Sequence, residues 1–191
     1  MRKILILFAH PKFEHSEANQ AMIHAISGLE NVEIRDLYEL YPDFNISIQL
    51  EQEALFQADV VIWHHPIYWY SCPPLLKQWI DLVLEFGWAY GPGGVYLKGK
   101  YLLNAITSGG SDLAYSSEGR NQHPIGNFLL PFEQTAKLCL MKYLAPFHLS
   151  GTFKITDSEL QIKANDYRDF ILELRDSQVI DRPLRPKTSL S

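Results

Sequence analysis

The sequence predicts an α/β domain built on a parallel β-sheet, and three observations carry that prediction. Short apolar runs without alternation, such as Lys3 to Phe8 and Ala58 to Trp63, read as strands covered on both faces. Segments of helical length and helical spacing separate them, so strand and helix patterns alternate five times. At 191 residues without internal repeats, the length fits one domain with a substantial core.

Taken in order, Lys3 to Phe8 is the first strand and Ala9 to His15 the loop after it. Ser16 is placed to cap a helix reaching Leu29, with Ala18, Met22, Ala25, Ile26 and Leu29 near helical spacing. Val32 to Leu37 alternates as a second strand, Tyr38 to Ser47 reads as a loop, and Ile48 to Gln57 as a short helix. Ala58 to Trp63 is the third strand, and Leu75 to Leu84 the next helix, stiffened at its start by Pro73 and Pro74. A glycine-rich excursion over Gly87 to Gly94 leads to the fourth strand, Lys100 to Thr107. A long irregular stretch reaches Gly126, and loops of that length are usually functional or disordered. Phe128 to Tyr143 reads as a helix with Pro131 near its first turn, and Ala145 to Phe153 as the fifth strand. Asp157 or Ser158 caps a last helix over Glu159 to Arg175. Residues 1–178 are expected to form the one domain and 179–191 a disordered tail, since the end is rich in proline, arginine and lysine and packs no apolar face. Five such strands predict the flavodoxin-like order 2-1-3-4-5 in a three-layer sandwich.

Composition narrows the function. The apolar fraction of 47% and charged fraction of 20% are those of an ordinary globular protein. A net charge of −5 offers no basic face for nucleic acid. Cys72 and Cys139 form no paired motif, which points away from a disulfide framework or a zinc site and toward a reducing cytoplasm. No apolar run approaches the ~20 residues of a membrane-spanning helix.

The predicted order places strands 1, 3 and 4 side by side, so the loops after them share one carboxyl edge at the point where the chain reverses direction. The first loop runs into a helix N-terminus, where free N–H groups and the helix dipole favour an anion, with His10, Ser16 and Asn19 as side-chain donors. Ser16 is equally readable as a plain cap. No G-x-G-x-x-G and no P-loop lysine is present, so a standard dinucleotide fingerprint is not supported. The second loop, from His64 to Pro74, carries Tyr68, Trp69 and Tyr70 where loops are usually polar, which fits a wall for a flat, partly apolar ligand or the closed end of a core. The third, Thr107 to Ser111, brings Gly109 and Gly110, where a backbone can approach a ligand and donate N–H groups. An anion pocket, an aromatic wall and a donor-rich turn suit the phosphate, ring and pyrimidine edge of a flavin.

The chain also resembles the flavodoxin-fold NAD(P)H:quinone oxidoreductases, and among them the ancillary subunits of glutathione-regulated potassium-efflux systems. The matching pieces include Ala9-His10-Pro11, Ser16-x-Ala18-Asn19, Tyr41-Pro42-Asp43-Phe44, His65-Pro66-Ile67-Tyr68, Tyr70-Ser71-Cys72-Pro73-Pro74, Gly91-Pro92-Gly93-Gly94 and Thr107-Ser108-Gly109-Gly110, in order between residue 3 and about residue 175. The resemblance implies phosphate contacts at His10 and at Ser16, Glu17, Ala18 and Asn19. It implies ring contacts at Pro66, Ile67, Tyr68, Trp69 and Tyr70 and at Thr107, Ser108, Gly109 and Gly110. FMN fits the small size better than FAD, and NAD(P)H is the implied co-substrate in a two-electron ping-pong hydride transfer to a quinone. In larger quinone reductases a tyrosine and a histidine after the Gly-Gly turn stabilise charge on the flavin. Tyr115 stands at the tyrosine's spacing, whereas Asn121 stands at the histidine's, with His123 two residues on. The resemblance further implies a homodimer, with Trp88 and Tyr90 closing the pocket, and a potassium-efflux antiporter as partner of a cytoplasmic protein. A one-electron flavodoxin carrier fits poorly, because such carriers are far more acidic and use a Thr/Ser-rich phosphate loop.

Overall fold

Ile4–Phe8 (β1) is buried at every position, as its unbroken apolar run requires, and so is Val60–Pro66 (β3). These two strands lie at the centre of the computed structural model, which describes residues 1–177. β1 pairs in parallel with Val32–Asp36 (β2) on one side and with β3 on the other. β3 then pairs with Tyr101–Thr107 (β4). With Lys142–Tyr143 as β5 and Phe147–Leu149 as β6, the order is β2-β1-β3-β4-β5, all parallel, and β6 continues the outer position against β4. The order 2-1-3-4-5 is therefore the one the sequence predicts. The tail expectation falls on residues outside the described ones.

Helices cover both faces. Glu17–Ile26 (α1) and Asp157–Asp176 (α7) bury Met22, Ile26, Tyr167 and Ile171 against Ile4, Ile6, Val60 and Ile62. Leu37–Leu40 (α2), Ile48–Gln57 (α3), Pro74–Val83 (α4) and Leu130–Leu138 (α6) cover Leu5, Leu7, Val61 and Trp63 on the opposite face. Strand alternation thus divides one apolar run between two cores. On the second face Glu51 is fully buried; it accepts from Arg35 Nε (3.1 Å) and Nη2 (2.5 Å), Tyr41 Oη (2.6 Å) and Trp79 Nε1 (2.8 Å). One carboxylate thereby ties β2, the loop after α2, α3 and α4 together.

Several elements differ from the sequence expectation. The helix expected over 128–143 is two: Ile125–Phe128 (α5) and α6, which restarts with Pro131 in its first turn, where no N–H is needed. α6 stops in a Schellman motif: Met141 N–H bonds to Ala136 O and Leu140 N–H to Lys137 O, with Leu140 at φ 58°. The fifth strand, expected over 145–153, is Lys142–Tyr143 (β5) and Phe147–Leu149 (β6). Tyr101 partners Lys142 but Ala105 partners Phe147, so the register slips by one residue across Leu144-Ala145-Pro146. Pro146 has no N–H for the ladder, and the interruption falls there. α1 ends at Ile26 rather than Leu29, and Leu37–Leu40 is a helical turn, capped by Asp36, within the expected loop. β3 runs on to Pro66, three residues past Trp63. α7 is capped by Thr156, whose capping box with Glu159 displaces Asp157 and Ser158 from that role.

Candidate functional site

At the carboxyl edge of β1, β3 and β4 the three loops enclose a cavity of about 570 Å³, within the range of small-ligand sites. Its lining brings together His10, Ser16, Glu17, Ala18, Asn19, Pro66, Ile67, Tyr68, Thr107, Ser108 and Gly109, all expected from the sequence. Lys12, His15, Thr152 and Phe153 join them without having been expected. A second hollow of about 370 Å³ lies at the opposite edge, against the C-terminal end of α3. There the C-terminal end of α3 presents the negative end of its dipole, which disfavours an anion.

The first corner is built by the start of α1. Ser16 caps it, accepting from Asn19 N–H at 3.5 Å, and the Ser16 carbonyl accepts from Gln20 N–H. The first two helical N–H groups, of Glu17 and Ala18, bond to no acceptor among the described residues. His10 is buried and its Nδ1 accepts from Lys12 N–H at 3.2 Å, so its proton sits on Nε2. Burial lowers the His10 pKa below its ordinary value, with Glu14 opposing, so the ring is neutral and donates one hydrogen bond.

The aromatic loop begins as strand. Ile67 N–H donates to Thr107 O at 2.8 Å, fastening its first residue to β4. Tyr68 and Ser71 then bond to each other in both directions across Trp69 and Tyr70, at φ 49° and 62°. Two consecutive positive φ values are what a type I′ turn requires, and they are costly for side chains this large. The turn lifts Trp69 into solvent, 94% exposed. Tyr70 stacks on Phe128 with ring centroids 5.1 Å apart and bonds to Asn121 Oδ1 at 3.4 Å. Trp69 and Tyr70 thus stand on the rim, outside the cavity lining, while Tyr68 meets the His10 ring edge-on at 5.9 Å. Cys72 is half-buried, and burial pushes its thiol up, which disfavours a thiolate nucleophile. Trp88 and Tyr90 pack within their own excursion, against Tyr96 and Phe86, and are not in the lining.

The third loop is held from behind. Ser108 N–H bonds to Leu149 O, Thr152 N–H to Ser108 O and Gly151 N–H to Gly110 O, so the segment after β6 clamps the turn. The N–H groups of Gly109 and Gly110 have no acceptor among the described residues. A Cβ at Gly109 would meet the Phe153 ring at 2.1 Å; Gly110 lies behind the lining, where a Cβ would meet Tyr115 at 3.1 Å. Tyr115 sits edge-on to both Phe128 and His148, and burial raises its phenol pKa, with Ser108 opposing. His123 is exposed, 3.5 Å from Asn127 Nδ2, and also edge-on to Phe128. The residue that reaches the turn is instead His148, which shares a 2.8 Å hydrogen bond with Ser108 Oγ and lies 3.6 Å from Asp112. A lone histidine inside a short apolar strand offered no sequence signal for this.

The residues present fit a phosphorylated flavin: a corner of N–H and O–H donors, a ring-sized apolar wall and paired glycine N–H groups. Known proteins resemble this chain in sequence and in structure. A family described as flavodoxin-like fold matches residues 2–171. The glutathione-regulated potassium-efflux system ancillary protein KefF of Salmonella gallinarum is 49% identical over 170 residues, covering 88% of this chain and 95% of its own. The structure of general stress protein 14 from Treponema denticola, in complex with FMN, is 36% identical with a TM-score of 0.87, covering 91% of this chain and 99% of that one. An NADPH-quinone reductase from P. pentosaceus is 28% identical with a TM-score of 0.78, covering 88% and 96%.

Proposed function

We propose, from the premise that this chain belongs to the flavodoxin-like fold family, that it is an FMN-dependent oxidoreductase taking electrons from NAD(P)H and delivering two to a quinone. The observation that carries this reading is the convergence, in one cavity, of the α1 donors, the Ile67–Tyr68 wall and the Gly109 turn. The FMN held by the Treponema protein and the description of the P. pentosaceus protein support it. When bound, the flavin supplies the hydride chemistry. The chain's own residues hold the cofactor and set the charge around it. His10, Ser16 and the Glu17 and Ala18 N–H groups receive the phosphate, and Ile67 and Tyr68 exclude water from one side of the ring. The Gly109 and Gly110 N–H groups are positioned to stabilise negative charge at its edge. Tyr115 stands behind the turn, beside Ser108 and 3.1 Å from where a Cβ on Gly110 would lie, and we assign it the charge-stabilising role; the exposed His123 is the second candidate.

The test is direct. Purified protein should be yellow, and heat release followed by chromatography should identify FMN. Colourless protein that takes up neither FMN nor FAD removes this reading. A regulatory role is favoured by the 49% identity to a potassium-efflux ancillary protein, and it is compatible with enzyme activity. In that reading the protein is a cytoplasmic homodimer that meets the membrane only through an antiporter. Among the described residues, no helix is long and apolar enough to cross a membrane. Co-purification with a potassium antiporter would support the role; potassium efflux indifferent to the protein's presence would end it.

A further inference from the structure

The hydrogen bonds beneath the anion corner have a direction, and it can be worked out group by group. Asn19 is 1% exposed; its Nδ2 donates to Ser16 Oγ at 2.7 Å and to Thr107 Oγ1 at 3.1 Å. Both amide protons are then committed, and Asn19 Oδ1 can only accept. The group facing Oδ1 at 3.1 Å is His64 Nε2, which must therefore carry the ring proton. His64 is fully buried, and burial brings its pKa down to about 3, so the ring is neutral and its Nδ1 is a bare acceptor. Facing that Nδ1 at 3.2 Å is the phenol of Tyr167, fully buried in α7, which donates. The sequence of donations runs from Tyr167 to His64, to Asn19, and ends on the two hydroxyl oxygens.

Ser16 and Thr107 accept from Asn19, and neither hydroxyl donates to any atom among the described residues. Both residues line the cavity, and the protons their hydroxyls still carry are the ones a ligand there would meet. We infer that Tyr167 is a positioning residue for an anionic ligand group: through His64 and Asn19 it makes Ser16 and Thr107 donors toward the cavity rather than acceptors. With the N–H groups of Glu17 and Ala18, this gathers four donors at one corner, which suits a phosphate dianion over a neutral hydroxyl. The inference rests on the reading of this cavity as the seat of a phosphorylated flavin, and it adds a selectivity element lodged in the core between α1, α7 and the sheet.

Tyr167→Phe removes one oxygen and keeps the ring, which packs on His64 at 5.3 Å and on Phe147 at 4.9 Å between centroids. It leaves His64 Nδ1 without a donor, so the ring is free to exchange tautomers and the Asn19 amide to turn over. Expected in the wild type is the Nε2–H tautomer of His64 in long-range ¹H–¹⁵N spectra near neutral pH; an Nδ1–H tautomer overturns the inference. In titrations of flavin-free protein, Y167F should bind FMN about five- to tenfold more weakly, the equivalent of one neutral hydrogen bond, and riboflavin about equally well. Equal loss for both ligands, or an unchanged FMN preference, overturns it. Inorganic phosphate separates the two claims. A protein that binds no flavin yet binds phosphate, and binds it more weakly as Y167F, refutes the flavin reading and retains the donor corner.

Discussion

Replacing Glu51 by alanine is the sharpest test of how this fold is held, because the magnitude follows from the contacts. The substitution deletes a fully buried carboxylate that accepts four hydrogen bonds, two of them from Arg35. Tyr41 Oη and Trp79 Nε1 lose their acceptors, and Arg35, with a side chain only 18% exposed, keeps only Glu33 at 3.2 Å. Burial by itself lowers the Arg35 pKa, yet the bonds and charge of Glu51 hold it above its ordinary value. Breaking a buried ion pair from one side typically costs ~3–5 kcal/mol. Against a total stability of ~5–15 kcal/mol this is a large share, and a fall of ~6–20 °C in melting temperature is expected. Urea unfolding followed by tryptophan fluorescence and by far-ultraviolet circular dichroism measures it. Removing both charges in E51M/R35M should cost less than E51A, because no buried charge is then left without a partner. A loss under ~1 kcal/mol for E51A, or a double variant at least as unstable, would refute the reasoning.

Three further outcomes are expected. Burial brings His64 to about 3 and His65 to about 4, against an ordinary 6.5, so the unfolded chain binds protons that the folded chain refuses. Stability from these two groups is therefore complete above about pH 6.5 and declines by roughly 2–3 kcal/mol per pH unit toward pH 4; urea midpoints that stay flat between pH 7 and pH 5 would contradict this. Trp69→Asn relaxes a left-handed position, so stability should rise by up to ~1 kcal/mol while ligand affinity at the rim falls; a stability loss would mean the exposed indole packs on something. Tyr115→Phe should slow flavin reduction by NAD(P)H in stopped-flow mixing by ~10²-fold or more with flavin still bound, and an unchanged rate would remove the phenol from the charge-stabilising role.

The sheet was legible because its strands are buried on both faces and therefore nearly uninterrupted apolar runs. The cavity was legible because sheet order and loop chemistry act together: once strands 1, 3 and 4 are neighbours, His10, Ile67 and Gly109 must meet. What escaped has physical causes. His64-His65-Pro66 reads as a break in an apolar run, yet all three residues are strand, because each histidine finds buried partners on its own face. His65 Nδ1–H donates to Pro66 O at 2.9 Å while Asn104, held by Tyr143, donates to its Nε2 at 2.9 Å. Such satisfaction depends on residues 39 and 103 positions away, which no local pattern registers. Thr152 and Phe153 joined the lining only because the last strand is shorter than expected, freeing them to fold over the turn. The site residues that sequence placed on the Trp69–Tyr70 tip stand on the rim because a type I′ turn, not a continuing strand, carries them.

The one-residue slip between β5 and β6 has an evolutionary reading. In a parallel ladder, paired residues face the same side, so Phe147 follows Ala105 into the α1–α7 core and His148 is turned the other way, toward Ser108 and Tyr115. Had the ladder run on from Lys142 through the same residues with no slip, His148 would have paired with Thr107 and the two roles would be exchanged. Side-chain substitution here can only tune the neighbourhood of the glycine turn. How Leu144, Ala145 and Pro146 take up the one-residue slip decides which residues that neighbourhood contains, with the sheet order intact. A variant lacking Ala145 should fold with a regular edge, Phe147 still paired with Ala105, and keep the His148 bond to Ser108, visible as an unchanged histidine resonance; loss of that bond would show that the strand re-registers instead of absorbing the deletion. Single-residue gaps in this segment among relatives are thus expected to straighten the edge strand while leaving the face of His148 unchanged.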